Sequence, residues 1–382
     1  MNRRTFVATT LAGPVLATAC GRRRSESSPI LPGRLGSPNM MLKDDPRADP
    51  RMLVAMAPYA LGETPPPTGV DGSSSVEAVL KYVSMAEPGF QGLFGALFKD
   101  LPPIQGVTKS VEMIKGVDGN DVTLFIHRPA KASGALPGIL HLHGGGMIML
   151  EAAAPNYDRW RDELAATGLV VVGVEFRNAG GKHGNYPFPA GLNDCTSSLQ
   201  WVNDNKDRLG ISKVVVSGES GGGNLTLATT LKAKREDRID GIAGVYAQCP
   251  YISNAYATKD PALPSLYEND EYFLACEMMG ALTKPYDPSG DNATNALAWP
   301  YHASVEELRG LPPHVISVNQ LDPLRDEGLA YYRKLLAAGV SAVSRTVNGT
   351  CHGGDCIFRA AMPDVYRATI RDIKSFADSL QE

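Results

Sequence analysis

The feature that most constrains this chain is a serine set among small residues where an apolar run meets a helical segment. Residues 214–216 are three valines, and Ser220 follows at the centre of a Gly-x-Ser-x-Gly pattern. A β-run that ends in this pattern and continues into a helix is the context of a nucleophile elbow. The turn is sharp, so its neighbours must be small, as Gly218, Gly221 and Gly222 are. Ser220 is therefore the candidate nucleophile.

Two other interpretations of this glycine-rich turn remain open on its pattern alone. One is a plain glycine turn. The other is a phosphate-binding loop, because Gly218 and Gly223 have the glycine spacing of that motif. Asn224 and Leu225 stand where the motif needs Lys and then Ser or Thr, which disfavours nucleotide binding.

A second signal lies upstream, where an apolar run ends in Gly144, Gly145 and Gly146. Glycines in such a place expose backbone N–H groups that no side chain covers. Together with the N–H of Gly221, which follows the candidate nucleophile, they are the candidate donors of an oxyanion hole. A turn without this role is the alternative.

A nucleophilic serine needs a base, and the base needs a carboxylate that orients it. His352 follows the last predicted strand, and Asp322 follows the strand before it. We favour these two over the rivals in the chain. Asp326 lies near the start of a predicted helix, where a capping role is expected, and the rival histidines are His302 and His314.

Metal and cofactor sites are not indicated by the sequence. His141 and His143 are two residues apart and could face one side of a strand, but no third ligand stands at a recognisable spacing. None of the six cysteines has CxxC spacing. Cys351 and Cys356 could bridge a small loop, although buried free thiols are the favoured interpretation. We expect no metal and no cofactor.

Beyond residue 110, short β-branched runs alternate with segments of helical period, which predicts an α/β fold with a mostly parallel, doubly wound sheet of eight strands. The first two strands flank Asp118-Gly119 and are predicted to form a hairpin. The predicted strands are residues 111–116, 121–127, 138–143, 169–176, 213–217, 242–248, 314–319 and 342–347. The predicted helices are residues 157–166, 192–208, 224–236, 325–338 and 365–380.

The chain divides by composition into three parts. Residues 1–20 resemble an export signal, residues 21–108 are an extension rich in Pro, Gly and Ser, and residues 109–382 carry the regular alternation. Residues 251–301 interrupt that alternation and are a candidate insertion over the active-site edge. The extension is predicted to lie on the main domain.

The charge balance points to a small-molecule partner. The chain has 37 basic and 41 acidic residues, so it lacks the basic surplus of a nucleic-acid surface. No uninterrupted apolar stretch reaches about 18 residues, so an integral membrane span is not expected. The oligomeric state stays open.

The N-terminus predicts export. Arg3, Arg4 and Phe6 precede a weakly apolar run, residues 7–19, in an order that resembles a twin-arginine signal. Cleavage is favoured, lipidation of Cys20 is the alternative, and an uncleaved disordered terminus is a third. The predicted location is therefore periplasmic or secreted, with a possible lipid anchor at Cys20, and otherwise cytoplasmic.

These motifs together resemble the hormone-sensitive-lipase-like family of α/β-hydrolases, also called bacterial lipolytic family IV, from about residue 110 to the C-terminus. The resemblance rests on the His-Gly-Gly-Gly run, the serine turn, the Asp-Pro-Leu-Arg-Asp-Glu run and His352. It implies a serine carboxylesterase with Ser220 as nucleophile, His352 as general base and acid, and Asp322 as its orienting carboxylate. The cap is implied to come from the extension and an insertion after the sixth strand.

The chain departs from the family pattern in several places. The family usually has Asp and Ala beside the serine, where this chain has Glu219 and Gly221, and its Tyr-Arg-Leu-Ala-Pro run is replaced at residues 176–181. The donor at 221 is a backbone N–H, so its role should survive. We expect hydrolysis of carboxylic esters, with short acyl chains favoured. The alternatives are a non-catalytic ligand-binding protein on the same fold, or an amidase, peptidase or lactonase with the same triad.

Overall fold

The structure, a computed structural model, describes residues 34–381. The predicted export signal, with its candidate lipid-anchor residue Cys20, lies outside these residues. The described part of the chain forms one unit by its internal contacts, and it contains no helix long and apolar enough to span a membrane.

One eight-stranded sheet organises this unit, with the spatial order β1-β2-β4-β3-β5-β6-β7-β8. Strand β2 runs antiparallel to β1 and β4, and all other neighbours are parallel. The first pair is the predicted hairpin. The strands are β1 (Val107–Lys115), β2 (Asp121–Pro129), β3 (Leu136–Leu142), β4 (Val170–Glu175), β5 (Ile211–Glu219), β6 (Gly244–Gln248), β7 (His314–Leu321) and β8 (Ala342–Cys351).

Helices follow most of the parallel strands, as a βαβ connection requires. They are α1 (Pro50–Met56), α2 (Val76–Phe98), α3 (Pro155–Ala165), α4 (Ala190–Asp204), α5 (Lys206–Leu209), α6 (Gly221–Arg235), α7 (Ser265–Glu268), α8 (Cys276–Tyr286), α9 (Val305–Leu308), α10 (Arg325–Ala337), α11 (Gly354–Ile357) and α12 (Pro363–Ser379).

Alternate residues of the central strands contribute to two separate apolar cores. On β3, Ile139 packs in a core with α3 and α12, whereas Leu140 and Leu142 pack in a core with α4, α6 and α10. Successive side chains of a strand point to opposite faces, so the sheet is covered by helices on both sides. A strand buried on both faces needs apolar residues at every position, which explains the consecutive valines of β4 and β5. The predicted fold class is confirmed.

The observed helices differ from the predicted bounds by one or more residues, and two of the differences are the largest. The helix predicted for residues 192–208 is divided at Asn205, whose backbone lies outside the helical region, and the short α5 then ends at Gly210 in the left-handed region. Helix α6 begins at Gly221, three residues earlier than predicted. The three glycines have low helix propensity, but the contacts of the turn around Ser220 decide where the helix starts.

The extension is packed on the hydrolase unit. Helix α2 contacts α8, which belongs to the segment between β6 and β7, and also contacts α3. Five cysteines lie in the described residues, and all have free thiols, including Cys351 and Cys356. The favoured interpretation of those two as free thiols therefore agrees with the structure.

Candidate active site

Ser220 occupies a strained turn between β5 and α6. Its backbone has φ 57° and ψ −119°, a combination that non-glycine residues rarely adopt. The surrounding chain holds it there, because its N–H donates to the carbonyl of Gln248 at 2.9 Å and its carbonyl accepts from the N–H of Tyr251 at 3.0 Å. Strain that is maintained by neighbouring structure is typical of functional sites.

The small residues predicted around Ser220 are required by the end of β3. A Cβ atom on Gly222 would lie 1.9 Å from the carbonyl oxygen of Leu142, and one on Gly218 would lie 2.4 Å from the same oxygen. A Cβ on Gly221 would lie 2.7 Å from the backbone nitrogen of Gly146. The glycines therefore let the turn and the loop after β3 approach each other closely.

His352 and Asp322 form a hydrogen-bonded pair at the ends of β8 and β7. His352 Nδ1 lies 2.8 Å from Asp322 Oδ2, and the other carboxylate oxygen accepts the N–H of Leu324 at 2.9 Å. Both side chains are buried. Burial alone would lower the pKa of His352, but the Asp322 carboxylate outweighs it and holds that pKa well above its usual range. The imidazole is thus oriented with Nδ1 toward the acid.

The alternative candidates for the acid and the base have other hydrogen-bond partners. Asp326 accepts the N–H of Ser265 at 2.7 Å and pairs with Arg325. His314 Nδ1 lies 2.6 Å from the carbonyl oxygen of Pro312, and His302 bonds to Asn254. None of them contacts the Asp322–His352 pair through these bonds. The Ser220 hydroxyl makes no hydrogen bond to another residue within 34–381, and catalytic contacts of this kind often tighten only when substrate binds.

The loop after β3, residues 143–150, which we call the oxyanion loop, separates the predicted donors into two groups. Gly144 donates its N–H to Glu219 Oε1 at 2.7 Å, so the prediction that Gly144 is an oxyanion donor does not fit the structure. The N–H groups of Gly145, Gly146 and Gly221 have no hydrogen-bond acceptor among the described residues. Gly145 and Gly146 have φ of 108° and 65°, which turns the chain so that these groups stay uncovered.

A second carboxylate anchors the far end of the oxyanion loop. Glu87, a buried residue of α2, accepts the N–H of Leu150 and the N–H of Lys182, each at 2.7 Å. A buried carboxylate must have such partners because leaving it unpaired is costly. The extension therefore contacts the oxyanion loop directly through one side chain.

The two histidines of β3 and the oxyanion loop have separate partners. His141 Nε2 lies 3.1 Å from Glu219 Oε2. His143 stacks on Phe176 with ring centroids 4.2 Å apart, and its Nε2 lies 3.6 Å from Glu175. Burial lowers the pKa of His141, although Glu219 opposes that effect. This arrangement suits two structural histidines better than one shared metal ion.

Two small cavities adjoin these groups. One, of about 50 Å³, is lined by Glu219, Cys249, His352 and Cys356 among others. The other, of about 80 Å³, is almost wholly apolar and lies beside Gly145 and Gly146. Its remaining walls come from α2 and from the segment that contains α8, including Phe90, Met278, Met279 and Leu282.

Three residues of this region were not assigned a role from the sequence. Glu219 stands out in the sequence only as a departure from the family pattern, and no motif marks Glu87 or Cys249. The hydrogen-bond partners of Glu87 and Glu219 lie 63 or more residues away in the chain. The neighbours of Cys249 lie on adjacent strands. Their positions follow from the sheet order, which brings the ends of β3, β5, β6, β7 and β8 together.

The arrangement of a strained serine, a histidine–aspartate pair and uncovered backbone donors defines the class of α/β-hydrolases. Residues 139–354 match the family described as having the alpha/beta hydrolase fold. That match covers more than half of the chain, and the protein belongs to this family.

Individual relatives are similar over most of the chain. Carboxylesterase NlhH of Mycobacterium tuberculosis is 30% identical over 276 residues, which are 70% of this chain and 82% of the relative. A solved structure titled brefeldin A esterase, a bacterial homologue of human hormone sensitive lipase, is 47% identical with a TM-score of 0.88, covering 91% of this chain and 97% of that one. The structure of esterase Est22 has 38% identity and a TM-score of 0.80, covering 89% and 100%. The predicted resemblance to the hormone-sensitive-lipase-like family is confirmed.

Proposed function

We propose that this protein is a serine carboxylesterase that hydrolyses small-molecule carboxylic esters through an acyl-enzyme on Ser220. His352 accepts the serine proton as the hydroxyl attacks the ester carbonyl, and it then protonates the leaving alcohol. The N–H groups of Gly145, Gly146 and Gly221 bind the oxyanion of the tetrahedral intermediate. Water activated by the same histidine releases the acid. No cofactor takes part in these steps.

The observation that carries this proposal is the 2.8 Å bond between His352 Nδ1 and Asp322 Oδ2 at the sheet edge where Ser220 turns. A histidine held in this way is a general base for a nucleophile at the same edge. The relatives named carboxylesterase, arylesterase and esterase support the same reaction.

Turnover of p-nitrophenyl acetate and butyrate by two serine variants tests the proposal. Ser220→Ala should lose about 10⁴-fold or more in kcat, because it removes the nucleophile. Ser217→Ala is a matched control, since Ser217 is buried three residues away and its hydroxyl has no partner. A fluorophosphonate probe should label wild type and Ser217→Ala but not Ser220→Ala. Equal rates for wild type and Ser220→Ala would refute the proposal.

A short acyl group is the substrate feature that the apolar cavity beside Gly145 and Gly146 supports. Its volume of about 80 Å³ holds only a few carbon atoms, and α2 and α8 act as the cap that closes it. Met278→Ala should enlarge the cavity and move the best p-nitrophenyl ester toward longer chains. Met85→Ala, at an exposed position of the same cap, should leave the preference unchanged. An unchanged preference in both would argue against this cavity as the acyl site.

Two other functions use the same fold. A non-catalytic binding protein would not need the His352–Asp322 pair, so no fluorophosphonate labelling of folded protein would favour it. An amidase, peptidase or lactonase would keep the triad. A panel of matched esters, amides and lactones separates these reactions by kcat/KM, and we expect the esters to be preferred.

We also propose that the protein is exported. The support is the order of charged, apolar and small residues from Arg3 to Cys20. Replacing Arg3 and Arg4 with Lys should hold the protein in the cytosol, and N-terminal sequencing of native exported protein should locate the cleavage or lipidation point. An intact N-terminus on native cytosolic protein would contradict export.

A further inference from the structure

The sheet order places a cysteine next to the histidine–aspartate pair. Cys249 follows β6, Asp322 follows β7 and His352 follows β8, so three neighbouring parallel strands present these side chains at one edge. One ligand atom from each residue lies within 4.8 Å of the others. The esterase reaction proposed above uses only two of the three.

A thiolate, an imidazole and a carboxylate are the ligand types that zinc binds, and the thiolate favours the softer divalent ions. Zinc bond lengths of about 2.0–2.3 Å place tetrahedral ligands roughly 3.3–3.8 Å apart. The observed spacing therefore needs only small side-chain movements to close on an ion.

The three residues of this cluster are buried, and two of them border a cavity. Cys249, Asp322 and His352 are 2%, 0% and 6% exposed, and the N–H of Cys249 is bonded to the carbonyl of Ser317 at 2.7 Å. The cavity of about 50 Å³ borders Cys249 and His352 and could hold an ion with a water molecule. Glu219 also lines this cavity and supplies a carboxylate to its wall.

We propose that Cys249, His352 and Asp322 form an inhibitory binding site for a soft divalent cation, Zn²⁺ or Cd²⁺. Binding forms bonds from the ion to the cysteine sulfur and the imidazole nitrogen, and the thiol proton and any proton on that imidazole nitrogen are released to water. No oxidation or reduction occurs. The carboxylate and a water molecule complete the coordination.

Occupation of this site stops the proposed reaction whichever imidazole nitrogen binds the ion. Nε2 is the nitrogen that must accept the proton of Ser220, and Nδ1 is the one that Asp322 orients. An ion on Nε2 removes the base, and an ion on Nδ1 breaks its orientation.

Inhibition by ZnCl₂ and CdCl₂ of p-nitrophenyl butyrate hydrolysis tests the site, with each variant compared with its own uninhibited rate. Removing an outer partner of a metal ligand weakens binding by about 10–100-fold, so Cys249→Ala should raise the apparent inhibition constant at least that much. Cys249→Ser nearly preserves the side-chain volume, and it replaces Cys249→Ala if the alanine variant does not fold. We expect it to raise the apparent inhibition constant in the same way. Cys195→Ala, a buried free thiol on α4, should match wild type.

Binding without catalysis is measured on Ser220→Ala through the ultraviolet charge-transfer band of a cadmium thiolate. The band should appear in Ser220→Ala and be absent when Cys249 is also replaced. If Ser220→Ala stays active while the band appears, the proposed esterase mechanism is wrong but the site stands. If Ser220→Ala is inactive and no band appears, or if Cys249→Ala is inhibited as strongly as wild type, the cation site is refuted.

Discussion

The two loops that serve Ser220 are held in opposite ways. The oxyanion loop is anchored at both ends by carboxylates from outside it, Glu219 on the N–H of Gly144 and Glu87 on the N–H of Leu150. Between these anchors, the N–H groups of Gly145 and Gly146 have no acceptor among residues 34–381. In the loop that carries His352 one anchor acts on the functional group itself, because Asp322 is bonded to the imidazole, and Asn319 in addition accepts the N–H of Gly353.

The difference follows from what each loop must present. Oxyanion donors are backbone N–H groups, so an anchor bonded to the N–H of Gly145 or Gly146 would occupy the donor that the reaction needs. A general base is one side chain in one orientation, so its anchor must act on the ring itself. Asn319 adds to this by donating to Thr350 and Asp355, residues on either side of His352.

The largest expected effect comes from breaking the anchor of the histidine. Asp322→Asn should lower kcat by about 10⁴-fold, because the imidazole loses its required tautomer. It also removes the largest of the effects that raise the pKa of His352, so that burial, which lowers this pKa, weighs more. The acid limb of the kcat/KM–pH profile should lie above the usual histidine value of about 6.5 in wild type and move to lower pH in the variant. A limb that does not move would mean that His352 is not the titrating base.

Breaking one anchor of the oxyanion loop should cost less. Glu219→Ala frees the N–H of Gly144 and lets the loop shift, and losing one oxyanion donor costs about 10²–10³-fold in kcat, so we expect a loss near 10²-fold. Glu219→Gln keeps an acceptor oxygen and should restore most of the rate. The loss should fall on kcat with KM little changed, and thermal unfolding of both variants checks that they are folded. Equal losses in the two variants would show that the hydrogen bond to Gly144 is not the cause.

A steric change at the meeting point of the turn and the loop should cost about tenfold in kcat, since it displaces the donors by a few tenths of an ångström without removing one. Gly221→Ala makes this change, because its Cβ would meet the backbone nitrogens of Met147 and Gly146 at 2.5 and 2.7 Å. Gly89→Ala is a control with no atom within 4 Å of the new Cβ. An unaffected Gly221→Ala would mean that the oxyanion loop moves away without loss.

The smallest expected effect is at the far anchor. Glu87→Gln retains an acceptor for one N–H but loses the negative charge, so kcat should fall only a few-fold, because one of the two hydrogen bonds remains. Hydrogen exchange at Leu150 and Lys182 should speed up. If kcat fell as far as in Glu219→Ala, the two ends of the loop would be equally important for catalysis.

Local sequence patterns predicted the parts of the site that depend on neighbours in the chain. The valines before Ser220 and the glycines around it specify the strand and the turn, and the position of Asp322 after β7 separated it from Asp326. The hydrogen bond that the Gly144 N–H donates could not be predicted, because its acceptor is 75 residues away in the chain. Cys249 has no spacing motif at all, since its neighbours come from three different strand ends.

The bond between Glu87 and Leu150 has a consequence for evolution and engineering. Helix α2 lies in a segment that varies in composition from the rest of the chain, and such segments invite exchange between relatives. Exchange of the segment that contains α2 would remove Glu87, one of the two anchors of the oxyanion loop. A transplanted cap that lacks an acid at this place would leave the N–H groups of Leu150 and Lys182 without this acceptor. The cap and the anchoring of the oxyanion loop are therefore coupled through a single carboxylate.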